Sequence, residues 1–218
     1  MSDYLYTHPY IVAHSLSLMV WLGMQKVAGG RMKRAVVSST NGGKQAAGRT
    51  NDVCWLPHDS DEVIWNLASK IAAAVGLPLE YAEPLQVVHY EHQEEYRKHW
   101  DAYDGHTERG NRTIASMGNR LVTALGYANS PKEGGGTGLP NLDLVVGAKA
   151  GRLLIFHDCY PGTSTKHSGA LHAGLPVTAG EKWAFNLWFH DRPHQESVRA
   201  GERWRAKMVA MRATKQEL

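Results

Sequence analysis

The sequence predicts an α+β fold, and three observations lead there. From Leu85 onward the apolar runs are short and strand-like and are divided by Gly-, Asn- and Pro-rich turns, the pattern of an antiparallel β domain. One clear amphipathic helix precedes those runs and a basic helical segment follows them. At 218 residues, 43% of them hydrophobic, the chain is long enough to bury one sizeable core, and it shows no internal repeat. A single domain is therefore expected over 1–218, with mainly helical support over 1–84, a β core over 85–190 and a terminal helix over 191–218.

The elements follow in order. Ile11 to Met24 reads as a buried amphipathic helix ending near Gly29 and Gly30. It does not suit a secretory segment, because no Lys or Arg precedes it and His14 with neighbouring serines interrupts it; it is also too short to span a bilayer. No membrane partner and a cytoplasmic location are the corresponding expectations. Val36 to Ser39 is β-prone and leads to the turn-forming Asn41-Gly42-Gly43, so an edge strand and a mobile loop are expected there. From Ser60 to Gly76, Val63, Ile64, Leu67, Ile71 and Val75 recur at helical spacing, with Asp61 and Glu62 in the first turn and Gly76 and Pro78 as stops. Two later stretches, 103–112 and 129–141, read as exposed connections or lids. Gln195 to Leu218 interleaves Arg199, Arg203, Arg205, Lys207, Arg212 and Lys215 with Val198, Trp204, Met208 and Met211, a basic amphipathic helix expected to pack on the domain.

A formal charge of +3 is too mild to imply nucleic-acid binding without a local basic patch, so no nucleic-acid partner is expected. Cys54 and Cys159 are too few for a disulfide framework and lack zinc-ribbon spacing; they read as buried thiols in a reducing compartment.

The chemistry centres on His99-Trp100-Asp101. On a strand, residues two apart share a face, so one imidazole and one carboxylate can reach the same metal ion. A third ligand must come from elsewhere, and His157, His167 and His172 all offer an imidazole. Two histidines and one carboxylate form the set that leaves coordination positions open on non-haem Fe(II). Lys182 opens the run KWAFNLWFH, where alternation places it on one face with Ala184, Asn186, Trp188 and His190. If that face is interior, the ammonium needs an anionic partner.

Several stretches carry a resemblance: LQVVHYEHQEEYRKHWDAYD (85–104), NRLVTALGYAN (119–129), GGGTGLPN (134–141), GRLLIFHD (151–158) and HAGLPVTAGEKWAFNLWFH (172–190), with RTNDVCWL (49–56) ahead of them. In this order they resemble the prolyl 4-hydroxylase family of 2-oxoglutarate- and Fe(II)-dependent dioxygenases, and 85–104 looks like that family's first core strand. The resemblance implies a double-stranded β-helix, or jelly roll. It implies His99, Asp101 and His172 as Fe(II) ligands, His172 being chosen because Lys182 stands ten positions after it. By the same likeness Lys182, Tyr90 and Thr137 bind 2-oxoglutarate, and Arg120, Trp188, His190 and Tyr96 line the cleft for proline. Fe(II), 2-oxoglutarate and O2, with ascorbate as reductant, are the implied cofactors. A proline-containing peptide or protein is the implied partner, hydroxylated as 2-oxoglutarate is decarboxylated to succinate and CO2. Asn51 and Gly138 depart from the family's usual Ser and bulkier residue, which leaves open a free amino acid or another side chain as substrate. A non-catalytic binding domain that keeps the fold is the alternative of another class.

Overall fold

The computed structural model describes residues 10–14, 24, 26–35 and 48–216. Its strands are β1 (Tyr10–His14), β2 (Lys33–Arg34), β3 (Asp52–Leu56), β4 (Leu85–Tyr90), β5 (Tyr96–His99), β6 (Arg120–Tyr127), β7 (Glu133–Gly134), β8 (Thr137–Leu139), β9 (Leu144–Val146), β10 (Arg152–His157), β11 (His172–Gly174), β12 (Val177–Ala179) and β13 (Lys182–His190). The helices are α1 (Glu62–Val75), α2 (Glu108–Met117) and α3 (Gln195–Gln216). Seven strands form one sheet in the order β1-β10-β6-β13-β4-β3-β2, four form a second in the order β5-β11-β8-β9, and β12 pairs with β7. Every pairing is antiparallel. The fold is thus α+β, as the sequence predicts.

Strand alternation gives the large sheet two different faces. On β13, Trp183, Phe185, Leu187 and Phe189 join a core with Ile64, Leu67, Ile71 and Val75 of α1. Lys182, Ala184, Asn186 and Trp188 point the other way and line a cavity that residues of the smaller sheet also line. β6 repeats the division, with Val122 and Ala124 toward α1 and Leu125 and Tyr127 toward the second core. The close approach of β6 to the Phe185 ring requires glycine at 126, since a Cβ there would lie 2.0 Å from the ring.

Helix α1 has the expected local causes. The Asp61 side chain caps the Val63 N–H at 2.8 Å, and Gly76 adopts φ 80° at the other end with its N–H bonded to the Ala72 carbonyl. Helix α3 packs through Ser197, Ala200 and Trp204, with Trp204 stacked on Trp65 at 4.8 Å and Arg203 forked onto Asp59. Its last turns expose Val209 and Met211, so the apolar stripe read from sequence packs only in its first half. No described helix is long and apolar enough to cross a membrane.

Several expectations change. Tyr10–His14 lies in a strand, not a helix, because β10 offers an unpaired edge on which residues 10–14 make a regular antiparallel ladder. Residues 24 and 26–28 are helical and end in a 3-10 turn at Gly29–Arg31, as read; most of the intervening segment lies outside the described residues. The described part of the first 84 residues adds β1, β2 and β3 to its helical segments, and these strands widen the large sheet on both sides. The predicted strand at Val36–Ser39 and its loop lie outside the described residues. The stretch 85–104 is two strands in different sheets rather than one. Within 103–112, Thr107 caps the Gly110 N–H and starts α2. Within 129–141, β7 and β8 form; Gly134, at φ 76°, has no room for a Cβ, which would lie 2.3 Å from the Pro176 carbonyl.

Candidate metal centre and adjoining cavity

His99 closes β5 and is the direct register partner of His172 on β11. Asp101 lies in a bend just past β5, so only the histidine of the pair is on a strand. The three side chains nevertheless converge: His99 Nε2 is 3.5 Å from Asp101 Oδ1, His172 Nε2 is 3.6 Å from Asp101 Oδ2, and one ligand atom from each lies within 4.8 Å of the others. Each imidazole uses Nδ1–H to donate to a backbone carbonyl two residues back, Arg97 at 2.8 Å and Ala170 at 2.9 Å. That bond selects the tautomer whose Nε2 lone pair faces its partners, as a metal ligand requires.

Burial, aided by His99, lowers the His172 pKa to about 4, so this ring is neutral near pH 7. Burial alone would raise the Asp101 carboxyl; the His172 and His99 imidazoles and Arg120 outweigh it and hold the group well below the usual carboxylate range. Asp101 Oδ2 accepts the Trp188 indole N–H at 2.7 Å and the Thr123 hydroxyl at 2.9 Å. Oδ1 faces His99. Two imidazoles and one carboxylate, all held in orientation, fit a divalent iron ion and leave coordination positions open.

Beside this centre sits Arg120. Its Nε and a terminal nitrogen donate to both oxygens of buried Glu83, at 2.6 and 2.9 Å, and its plane lies over the Trp188 ring at 3.8 Å. Burial would raise the Glu83 carboxyl, but Arg120 and His190 bring its pKa down to about 2. The His190 ring bridges Glu83 at 2.7 Å and the Met117 carbonyl at 3.0 Å; it is fully buried and does not line the cavity. Arg120, Trp188 and Tyr96 do line it, with Arg49 over the Tyr96 ring at 4.6 Å.

Farther in, Lys182 is 2% exposed and burial lowers its pKa to about 7. Among the described residues no carboxylate pairs with it; its Nζ instead lies over the rings of Tyr90 at 4.7 Å and Tyr127 at 5.5 Å. The Tyr127 hydroxyl lies 2.7 Å from Thr137 Oγ1 and 3.3 Å from the Val146 carbonyl, which holds both hydroxyl groups beside the lysine. His99, Asp101, His172, Lys182, Tyr90 and Thr137 all border this single cavity of about 1100 Å³. Its mouth carries Arg31, Lys33, Arg34, Trp55 and Trp100, the two indoles 44% and 42% exposed.

Four participants escape sequence reading: Glu83, Thr123, Tyr127 and Asp158. Glu83 stands in a connection before Pro84 with no pattern to mark it. The other three had a signal, because alternation through Thr123, Leu125 and Tyr127, and through Leu154, Phe156 and Asp158, places polar groups on the inner face.

Residues 85–190 match the model of the 2OG-Fe(II) oxygenase superfamily. A protein of Acanthamoeba polyphaga mimivirus, named as a prolyl 4-hydroxylase, is 29% identical over 187 residues, covering 86% of this chain and 76% of that one. Prolyl 4-hydroxylase subunit alpha-2 of Gallus gallus is 29% identical over 79% of this chain, which spans only 32% of that subunit. Among solved structures, the viral collagen prolyl hydroxylase of Paramecium Bursaria Chlorella virus-1, bound to 2-oxoglutarate, superposes with a TM-score of 0.68 at 23% identity, covering 84% of this chain and 97% of that one. A prolyl hydroxylase of Trichoplax adhaerens in complex with a peptide fragment of hypoxia inducible factor gives 0.64 at 19% identity, covering 90% and 89%.

Proposed function

We propose that the chain, whose residues 85–190 match the model of the 2OG-Fe(II) oxygenase superfamily, hydroxylates proline within a peptide or protein, using Fe(II), O2 and 2-oxoglutarate. The observation that carries this reading is one cavity holding both a two-histidine, one-carboxylate cluster and a buried lysine without a carboxylate partner among the described residues. Fe(II) held by His99, Asp101 and His172 supplies the redox chemistry that couples decarboxylation of 2-oxoglutarate to hydroxylation, with ascorbate as reductant. The rest is the work of this chain's own side chains. Lys182 gives the distal carboxylate of 2-oxoglutarate an opposite charge, and the Thr137 and Tyr90 hydroxyls donate beside it. Trp188, Tyr96 and Arg120 form the wall against which a proline ring packs; proline is apolar and brings no amide N–H, so aromatic faces and an Arg donor suit it. His190 acts behind that wall, through Glu83, on Arg120.

A peptide is favoured over a free amino acid by the mouth, where Trp55, Trp100 and Arg31 extend the wall beyond what one residue would fill. On this reading the two facing sheets are the halves of a double-stranded β-helix, and 1–218 acts as one catalytic domain. The two buried free thiols suit a reducing compartment such as the cytoplasm. Succinate formation with Fe(II), ascorbate and 2-oxoglutarate should rise on adding proline-rich peptides, with hydroxyproline located by mass spectrometry. Turnover of free proline or another amino acid with none on peptides would overturn the peptide assignment.

A further inference from the structure

Thr123 on β6 stands between two carboxyl groups. Its Oγ1 is 2.9 Å from Asp101 Oδ2 and 2.7 Å from Asp158 Oδ2, yet a hydroxyl carries one hydrogen and can donate to only one of them. If both acids were ionised, one close contact would hold two oxygens with no hydrogen between them. Asp101 Oδ2 also receives the Trp188 N–H, which marks it as the charged acceptor. Asp158 is fully buried, and its Oδ1 has no hydrogen-bond partner among the described residues. Arg120, the cation that acts on it, is already engaged by Glu83. An ionised Asp158 would be a buried charge without compensation, which a carboxyl avoids by keeping its proton. Burial and the Asp101 charge indeed push its carboxyl well above the usual range.

We propose that Asp158 is a neutral carboxylic acid that donates to Thr123, and that Thr123 then donates to Asp101, so that Asp158 is a positioning residue for the metal centre. The chain of donors runs one way, from Asp158 O–H to Thr123 Oγ1 and from Thr123 O–H to Asp101 Oδ2. It removes rotational freedom from both side chains and leaves Asp101 Oδ1 as the oxygen free of these donors. The backbone anchors Asp158 in this place: its N–H donates to the Leu121 carbonyl at 2.8 Å and its carbonyl accepts the His167 N–H at 2.8 Å. Asp158 does not line the cavity, so it touches neither metal nor substrate. Sequence separations of 22 and 35 residues keep this relay out of any local motif.

The inference rests on the reading of His99, Asp101 and His172 as metal ligands, and Mn(II) binding to the full chain, followed by titration calorimetry without turnover, tests the two separately. Asp158→Asn keeps a donor N–H toward Thr123 and should bind Mn(II) within about twofold of wild type. Asp158→Leu fills similar space without a donor and should bind about tenfold more weakly, the usual scale for losing a group that orients a metal ligand. Wild-type affinity in Asp158→Leu, or equal weakening in both variants, would overturn the relay. Mn(II) binding unchanged in Asp101→Ala would instead overturn the ligand set. Should Asp158→Leu fail to fold, infrared spectroscopy decides: a protonated carboxyl C=O stretch should be present in wild type and missing in Asp158→Asn, and its absence from wild type would refute the proposal.

Discussion

The two ends of the cavity are built in opposite ways. At the metal end the groups that orient the ligand atoms are already paired: both Nδ1 atoms are bonded to carbonyls, Asp101 Oδ2 takes two donors, and Arg120 is clamped by Glu83. At the lysine end an ammonium is buried among two tyrosine rings with no carboxylate beside it among the described residues. The first arrangement holds ligand atoms where they are needed before any ion arrives, so little reorganisation accompanies binding. The second leaves an electrostatic deficit, and under the proposed function the carboxylate of the cosubstrate fills it.

Four measurements break or sharpen that contrast. The largest effect belongs to the ligands: His172→Ala and Asp101→Ala should each abolish iron-dependent succinate formation while the circular dichroism spectrum and the unfolding transition persist, because these side chains border a cavity. Full activity of His172→Ala at saturating Fe(II) would remove His172 from the centre.

Lys182→Ala should raise the 2-oxoglutarate concentration for half-maximal activity by about 10- to 150-fold, the equivalent of losing a charge-assisted hydrogen bond of roughly 1.5–3 kcal/mol. Mn(II) affinity should stay within a factor of about two, since the two ends are held by separate partners. A shift of metal affinity as large as that of 2-oxoglutarate affinity would show that the ends are not independent.

Trp188→Phe tests the metal end from the substrate side. It keeps an aromatic ring beneath Arg120 but deletes the N–H that reaches Asp101 at 2.7 Å. Mn(II) binding should weaken by about tenfold, with peptide KM changing less. An unchanged metal affinity with a raised peptide KM would assign Trp188 to substrate packing alone.

The smallest effect is a pH dependence at the lysine end. The pKa of Lys182 is lowered to about 7 by burial, so in the free protein it loses its charge as pH rises through that value. A bound carboxylate favours the charged form, and 2-oxoglutarate binding above pH 7 must therefore take up a proton. Affinity should fall with rising pH, by up to about tenfold per unit above the free pKa. Calorimetry in two buffers of different ionisation enthalpy reads the proton uptake directly; none at pH 8 would mean Lys182 is already charged in the free protein.

What could be read in advance follows from the range over which each feature is decided. Helix α1 was legible because its cap at Asp61, its apolar spacing and its stop at Gly76 all lie within one short stretch. The inward face of β13 was legible because alternation is a local rule, and Lys182, Ala184, Asn186 and Trp188 obey it. His190 does not, since the register shifts between Phe189 and His190 and its ring turns to Glu83 rather than the cavity. Tyr10–His14 was misread because its apolar run suits a helix as well as a strand, and only the open edge of β10 chooses.

By itself, then, the sequence determined the α+β class, the same-face pairing of an imidazole at 99 with a carboxylate at 101 and the cation at 182, since each depends on residue identity and short spacing, whereas His172 was singled out from His157 and His167 only by the family resemblance. Tertiary structure decided which of those groups are oriented, paired or left uncompensated. Glu83 meets Arg120 across 37 residues and Asp158 meets Thr123 across 35. The hydrogen-bond partners that give a buried polar group its charge state come from segments distant in the chain, and only the folded sheets bring them within 3 Å.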